Sequence, residues 1–146
     1  MINTPTSRMT RPSESSQDFA KLLLRLLLAV LLLFHGVSKI QNGPGALLEI
    51  VTNAGLPAAF AYLAYVGEVA APLLLIIGLL TRVAAAIIAI NMLFAFALVH
   101  LAQLFTLAKS GGWALELQGF YLGTALVIML LGAGRYSLGG ISGRWN

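Results

Sequence analysis

The 146-residue sequence contains no cysteine. This absence excludes disulfide bonds, a dithiol relay, a thiolate nucleophile, and iron–sulfur or zinc sites with cysteine ligands. Charged residues are also scarce, at 10% of the chain, whereas an ordinary soluble domain has about 25%. Because so few charges cannot cover a water-exposed surface, lipid must cover much of this chain.

Apolar residues dominate the composition. They make up 59% of the sequence, and the mean hydropathy is +0.90. They are concentrated in four blocks, at residues 19–40, 59–80, 83–107 and 115–131. Each block is close to the ~20 residues that a helix needs to cross ~30 Å of hydrocarbon, and none has the short alternating pattern of barrel strands. The sequence therefore predicts an all-α fold, an integral membrane four-helix bundle.

The ends of the chain are more polar. Residues 1–18 are rich in Ser, Thr and Pro and predict a disordered cytoplasmic tail. The transmembrane domain is predicted at residues 19–138 and a cytoplasmic carboxyl-terminal tail at residues 139–146. The first apolar block has one alternative interpretation, a signal peptide cleaved after the small-x-small sequence Gly36–Ser38. The continuous apolar run from Phe19 and the absence of alanines at that site favour a membrane helix.

The placement of basic residues predicts the orientation. The net charge of +4 would suit nucleic acid, but the basic residues lie at the ends of the apolar blocks, so we expect membrane lipid and no nucleic acid as the partner. One side of the membrane carries Arg8, Arg11, Lys21, Arg25, Arg82, Arg135 and Arg144, and the other carries Lys39 and Lys109. The positive-inside rule places both termini, and the hairpin at Arg82, in the cytoplasm.

Four ionisable side chains fall within the outer half of the membrane. An ionisable residue inside a membrane helix costs roughly 2.5–3.5 kcal/mol on insertion scales, so such residues face the bundle or serve a function. Heights are counted at 1.5 Å per residue from the cytoplasmic basic residues. His35 and Glu68 then lie ~21 Å above that level, and His100 and Glu116 lie ~27–28 Å above it. These four, one from each block, predict a ligand-binding cluster of His35, Glu68, His100 and Glu116.

Glu68 is the candidate for proton transfer. Pro72 follows it by four residues, so it cannot donate to the Glu68 carbonyl and is expected to kink the helix there. A structural interpretation stands beside each role. Glu68 can pair with Arg25 or a histidine, the two histidines can pack within the bundle, and Glu116 can be a carboxylate at a helix amino terminus.

Other polar and small residues have structural interpretations. Lys39 follows His35 by one helical turn and is expected to cap it. Arg25 is interpreted as a snorkelling arginine at the inner border. Asn91, at ~14 Å depth, is interpreted as a side chain that hydrogen-bonds between helices. It is expected to lie half a turn out of phase with His100 on the same helix.

Gly119 and Gly123 form a small-x-x-x-small face on the last block. Such faces let helices approach closely. This face can join helices within the bundle or between the subunits of a homo-oligomer.

Several motifs together resemble the DoxX family of small bacterial four-helix inner-membrane proteins. The motifs are Leu24-Arg25-Leu26, Phe34-His35-Gly36, Gly67-Glu68, Gly78-Leu79-Leu80-Thr81-Arg82, His100, and Gly132-Ala133-Gly134-Arg135-Tyr136-Ser137-Leu138. The resemblance covers residues 21–138 and implies Arg25, His35, Glu68, Arg82 and His100 as motif positions. An acidic residue often follows the last motif in the family, and Gly139 stands there in this chain.

The resemblance implies a role beside redox enzymes. Family members include a membrane subunit of a thiosulfate:quinone oxidoreductase and a partner in a membrane oxidoreductase complex linked to oxidative stress. The first hypothesis is therefore a membrane subunit that binds quinone in the outer half of the bundle, with His35 or His100 on a quinone carbonyl and Glu68 passing protons. The sequence has no flavin or dinucleotide fingerprint, so a partner protein must supply the electrons.

Two other functions stay open at the level of the sequence. His35 and His100 can be considered as axial haem ligands, but their ~6 Å offset in height argues against a bis-histidine haem. No metal site is predicted. The remaining alternative is a non-enzymatic membrane scaffold, or a carrier of small molecules or protons.

Overall fold

The chain folds into helices in the computed structural model, which describes residues 14–140, 143, 145 and 146. Over these residues the backbone forms no strand beyond an isolated bridge between Leu107 and Trp113. The main helices are α1 Glu14–Asn42, α2 Gly45–Asn53, α3 Ala58–Ile77, α4 Thr81–Leu98 and α5 Glu116–Leu131. The all-α prediction is confirmed.

Three of these helices are long and apolar enough to cross a membrane: α1, α3 and α4, with 29, 20 and 18 residues. Only 28–33% of the most apolar window of each is buried inside the protein. Large apolar side chains such as Phe34, Ile90 and Leu130 point outward, where lipid can cover them. The chain is therefore a multi-pass membrane protein. Helix α5 is apolar but shorter, at 16 residues, or about 24 Å, so the fourth crossing stays a prediction.

The four long helices pack as a ring in which α1 contacts α3, α3 contacts α4, α4 contacts α5, and α5 contacts α1. Alanines lie fully buried at the centre, at Ala29, Ala84, Ala85 and Ala125. Side chains this small let membrane helices approach closely and gain van der Waals contact. Leucine and isoleucine fill the remaining space, including Leu32, Leu75, Ile88 and Ile128.

A tight turn joins α3 to α4. Gly78 ends α3 in the left-handed region at φ 69°, and its amide donates to the Leu74 carbonyl at 2.9 Å. Leu80 is also left-handed, at φ 49°, a conformation that costs a non-glycine residue about 1–3 kcal/mol. The hairpin predicted at Thr81-Arg82 therefore turns at residues 78–80, and Thr81 is already helical.

The start of α1, the start of α4 and the end of α5 meet at one end of the bundle. The Asp18 carboxylate accepts a hydrogen bond from the Arg135 amide at 3.3 Å. Arg82 donates to the carbonyl of Met129 at 3.0 Å and to the backbone oxygen of Asn146 at 3.1 Å. This end holds Lys21, Arg25, Arg82 and Arg135, which are expected to face the cytoplasm. The other residues of that set, Arg8, Arg11 and Arg144, lie outside the described part of the chain. The orientation with both termini inside stays a prediction.

The boundaries of the two tails differ from the expected ones. Helix α1 begins at Glu14 rather than Phe19, and Asp18 is buried. Of the tail expected at residues 1–18, residues 1–13 lie outside the described part of the chain. Near the other end, the Asn146 side chain is buried and its Oδ1 accepts from the Thr81 hydroxyl at 2.9 Å. Asn146 thus docks on the bundle instead of lying in a free tail.

Helix α4 ends at Leu98, nine residues before the predicted end of the third block. The amides of Val99 and His100 both donate to the Ala95 carbonyl, at 3.0 and 3.2 Å. The chain then forms a short 3-10 turn, Leu101–Gln103. His100 therefore lies in the connection after the helix, where helical phase no longer fixes its direction.

Candidate functional site

A cavity of about 460 Å³ opens between the helices, in the half of the bundle away from Asp18 and Arg25. Small-molecule sites are typically about 300–1,000 Å³ and mostly apolar, with a few convergent polar groups. Apolar side chains dominate this lining as well, and Leu47, Ile50 and Val51 of α2 close one side. The polar residues that reach it are His35, Lys39, Glu68, Asn91, His100, Gln118 and Tyr121.

An ion pair lies at the wall of this cavity. The Lys39 ammonium of α1 donates to Glu68 Oε1 of α3, and Asn91 Nδ2 of α4 donates to the same oxygen at 3.4 Å. Three helices therefore converge on one carboxylate. The structure corrects two expectations, because Lys39 pairs with Glu68 instead of capping His35, and Glu68 pairs with Lys39 instead of Arg25 or a histidine.

The backbone around Glu68 is wider than an α-helix. Residues Val66–Ala70 form a π-helical turn, a feature found frequently at functional sites. Pro72 follows, buried at the start of the α-helical segment Ala71–Ile77, and its missing N–H leaves the Glu68 carbonyl without its usual helical donor. The distortion expected at Pro72 is thus a π-turn that precedes it.

Two glycines allow the close approach of these helices. A Cβ added at Gly36 would clash with the Glu68 carbonyl oxygen, and one added at Gly67 would clash with the Asn91 side chain. Gly36 thus lets α1 pack against the π-turn, and Gly67 lets α4 pack against α3. No packing role for either glycine was predicted from the sequence. Each glycine adjoins a candidate site residue, Gly36 beside His35 and Gly67 beside Glu68. This adjacency was the available sign that helices approach closely there.

Asn91 lies at the depth of Glu68, not below it. The depths expected from the sequence were counted from Arg82, so every residue between Arg82 and Glu68 was treated as helical. Residues 78–80 form the turn, so Glu68 lies nine residues before the end of α3 at Ile77, and Asn91 lies ten residues after Thr81. At 1.5 Å per residue, both lie about 14–15 Å from the turn.

The two histidines contact polar groups one turn apart on α5. His35 Nε2 lies 3.4 Å from the Tyr121 hydroxyl, and the two rings meet edge to face at 5.9 Å. His100 contacts Gln103 Oε1 at 3.1 Å and Gln118 Nε2 at 3.3 Å. Because His100 lies beyond α4, it reaches the same cavity as Asn91. The phase difference expected between these two residues on one helix therefore does not apply, because His100 is not part of α4.

Glu116 does not join the cluster. It is exposed at the first turn of α5, and its carboxylate lies so close to Gly112 that a Cβ there would clash with it. It borders a separate shallow groove on the outward face of α5. The predicted set of four is therefore corrected to His35, Glu68 and His100, joined by Lys39 and Asn91.

The Gly119–Gly123 face borders the same outward groove. A Cβ at Gly119 would clash with the Trp113 ring, whereas Gly123 meets only open space. Gly119 therefore leaves room for Trp113 of the loop between α4 and α5. No other helix among the described residues lies within 4 Å of where a Cβ on Gly123 would stand. Its use between subunits stays a prediction.

Arg25 is fully buried and lies at the other end of the bundle. Its guanidinium donates to the carbonyls of Leu75 at 3.0 Å and Tyr136 at 3.0 Å, and also to that of Ala133. It thus ties the end of α3 to the segment after α5. This contradicts the expectation of a snorkelling side chain, and it also removes Arg25 from the surroundings of Glu68.

Among residues 14–140, 143, 145 and 146, no group of three or more His, Asp and Glu side chains is arranged to hold a metal ion. The polar groups of the cavity are a cation, a carboxylate, two amides, two imidazoles and a phenol. This set can bind a polar head on an apolar molecule through several directional hydrogen bonds.

The fold and the cavity define a class: an all-helical, multi-pass membrane protein with a mostly apolar pocket between its helices that carries a few polar groups. Residues 20–101 match the DoxX family. This match covers more than half of the chain, which therefore belongs to the DoxX family. It includes Lys39, Glu68, Asn91 and both histidines, whereas α5 lies outside it. Neither curated proteins nor solved structures yield a match to this chain.

Proposed function

We propose that this DoxX protein is a membrane subunit of a quinone-linked oxidoreductase system in a bacterial inner membrane. Its cavity binds a quinone or a quinone-like aromatic molecule. The observation that carries this proposal is the convergence of α1, α3 and α4 on Glu68 at the wall of an apolar cavity.

The cavity suits a flat aromatic ring with oxygen substituents. Its apolar lining can hold the ring, and side chains such as Leu32, Ile87 and Phe94 supply that surface. The polar groups are placed to meet the oxygens. Lys39 has three N–H donors, of which Glu68 takes one. His35 and His100 can each donate or accept, depending on tautomer.

A subunit role is supported by the kinds of structural unit that the described helices do not form. Dinucleotide and flavin sites are commonly built on strand–helix units with a glycine-rich phosphate loop, and the described residues form no such unit. Electrons for quinone chemistry must therefore come from a partner protein, soluble or membrane-bound. In this proposal Glu68, which lines the cavity, exchanges a proton with the ligand, as quinone chemistry within a membrane requires.

Binding in detergent tests this proposal. Purified protein is extracted with organic solvent and the lipophilic molecules that travel with it are identified by mass spectrometry. Decylubiquinone and decylubiquinol are then titrated calorimetrically under anaerobic conditions. We expect saturable, one-to-one binding of at least one redox form. His35→Phe keeps the ring packing against Tyr121 but loses the nitrogens, and should weaken binding by about 2–10-fold.

Glu116→Gln is the matched control, because this carboxylate lies outside the cavity and its substitution should leave binding unchanged. Absence of binding by either redox form, together with no lipophilic molecule in the extract, would refute the proposal. A Glu68→Gln protein that inserts normally and supports the same cellular phenotype would favour the scaffold alternative.

A further inference from the structure

The Glu68 carboxylate is satisfied on only one of its oxygens. Oε1 receives both protein donors, Lys39 Nζ and Asn91 Nδ2. Oε2 is buried and has no hydrogen-bond partner among the described residues. An ionised carboxylate accepts about four hydrogen bonds, and leaving a buried polar group unsatisfied is unfavourable. The site therefore lacks a donor beside Glu68.

The other polar side chains of the cavity do not supply that donor. Lys39 and Asn91 already point to Oε1. His35 contacts Tyr121, and His100 contacts Gln103 and Gln118. Each of these groups already has a contact of its own, yet Glu68 lines the cavity. A molecule bound in the cavity that Glu68 lines can supply a donor for Oε2.

This requirement distinguishes the two redox forms of an aromatic ligand. A quinone carbonyl can only accept a hydrogen bond, so it offers nothing to a carboxylate that is also an acceptor. The hydroxyl of a quinol, a catechol or another phenol can donate to Glu68. The same hydroxyl oxygen can accept from a remaining N–H of Lys39.

We propose that the cavity selects the reduced, hydroxyl-bearing form of its aromatic ligand, with Glu68 as the specificity-determining acceptor. This inference rests on the proposed function, because it concerns the same cavity. It names the ligand class as phenolic molecules of the quinol or catechol type. Lys39 and Asn91 both bind Oε1, so Oε2 is left to accept from the ligand.

A redox-inert pair of probes isolates the hydrogen bond from any electron transfer. The pair is 4-hexylphenol and 4-hexylanisole, which share a ring and a tail but differ in the ability to donate. Titration calorimetry of the full-length protein in detergent should show the phenol binding at least about 10-fold more tightly, as expected for a hydrogen bond to a charged group. Decylubiquinol should likewise bind more tightly than decylubiquinone.

Glu68→Gln tests the residue itself. Its amide can donate as well as accept, so the preference for the phenol and the quinol should fall to about twofold or less. Glu116→Gln, whose carboxylate lies outside the cavity, should keep the native preference. An infrared difference spectrum of the native protein supplies a second measurement, in which a carboxylate band shifts with the phenol and not with the anisole.

The outcomes separate this inference from the proposed function. Equal affinity for both members of each pair, with no shift of the carboxylate band, would overturn the selection of the reduced form while leaving quinone-like binding intact. Failure of all four probes to bind would instead contradict the proposed function.

Discussion

Lys39 and Glu68 form an ion pair whose two members differ in burial: the lysine side chain is 31% exposed, and the glutamate side chain is 7% exposed. Removal of the lysine leaves a buried carboxylate to which, among the described residues, Asn91 is the remaining donor. Removal of the glutamate charge leaves an ammonium that can still reach water or headgroups. The pair is therefore asymmetric, and its two halves should contribute unequally to stability.

Lys39→Met should be more destabilising than Glu68→Gln. Loss of one partner from a buried pair costs about 3–5 kcal/mol, and partial exposure reduces this to about 2–3 kcal/mol for Lys39→Met. For Glu68→Gln we expect about 1 kcal/mol or less. Thermal unfolding in detergent, followed by circular dichroism, measures both. The double variant should be more stable than Lys39→Met alone. Equal losses for the two single variants would contradict the asymmetry.

Arg25 should be essential for the packing at the opposite end of the bundle. Arg25→Met leaves the carbonyls of Leu75, Ala133 and Tyr136 without their donor in a buried site. We expect a loss of about 2–4 kcal/mol in the free energy of unfolding, measured by thermal unfolding and by the yield of inserted protein. Arg135→Met, at a side chain that is 62% exposed, is the matched control and should change stability by less than about 1 kcal/mol. Similar losses at both positions would refute the structural role of Arg25.

Two helical glycines, Gly36 and Gly123, should respond oppositely to alanine. At Gly36 the added methyl group would clash with the Glu68 carbonyl, whereas at Gly123 it meets open space. Gly36→Ala should separate α1 from the π-turn and destabilise the protein by about 1–3 kcal/mol, the range typical of overpacking. Gly123→Ala should be neutral or stabilising by up to about 1 kcal/mol. Thermal unfolding of the pair checks this prediction, and a stable Gly36→Ala protein with unchanged ligand binding would contradict it.

The helical class of the fold is predictable from the sequence because the apolar blocks are long and nearly free of charge. The positions of the helix ends are less so. The mostly apolar segment from Val83 to Leu107 gives no clear sign that α4 stops at Leu98. The early end moves His100 off the helix, so its position in the cavity is outside the reach of a helical-phase argument.

The site is predictable in part for the same physical reason. Ionisable residues in apolar blocks stand out, and Glu68, His35 and His100 do line one cavity. The depth expected for Asn91 was wrong because residues 78–80 form a turn and do not advance along a helix axis. The place expected for Glu116 in the cluster was wrong because depth along a helix says nothing about which face a side chain occupies. The Lys39–Glu68 pair depends on the close approach at Gly36, which becomes visible only when the helices are packed.

The absence of cysteine makes the orientation testable with single substitutions. Ser15 lies exposed in the first turns of α1, and Ser110 lies exposed in the loop between α4 and α5. If the basic end of the bundle faces the cytoplasm, a membrane-impermeant maleimide added to intact cells should label Ser110→Cys and not Ser15→Cys. After permeabilisation both should be labelled, and the unsubstituted chain serves as the blank because it has no thiol. Labelling of Ser15→Cys in intact cells would reverse the orientation and would place the Glu68 cavity nearer the cytoplasmic side.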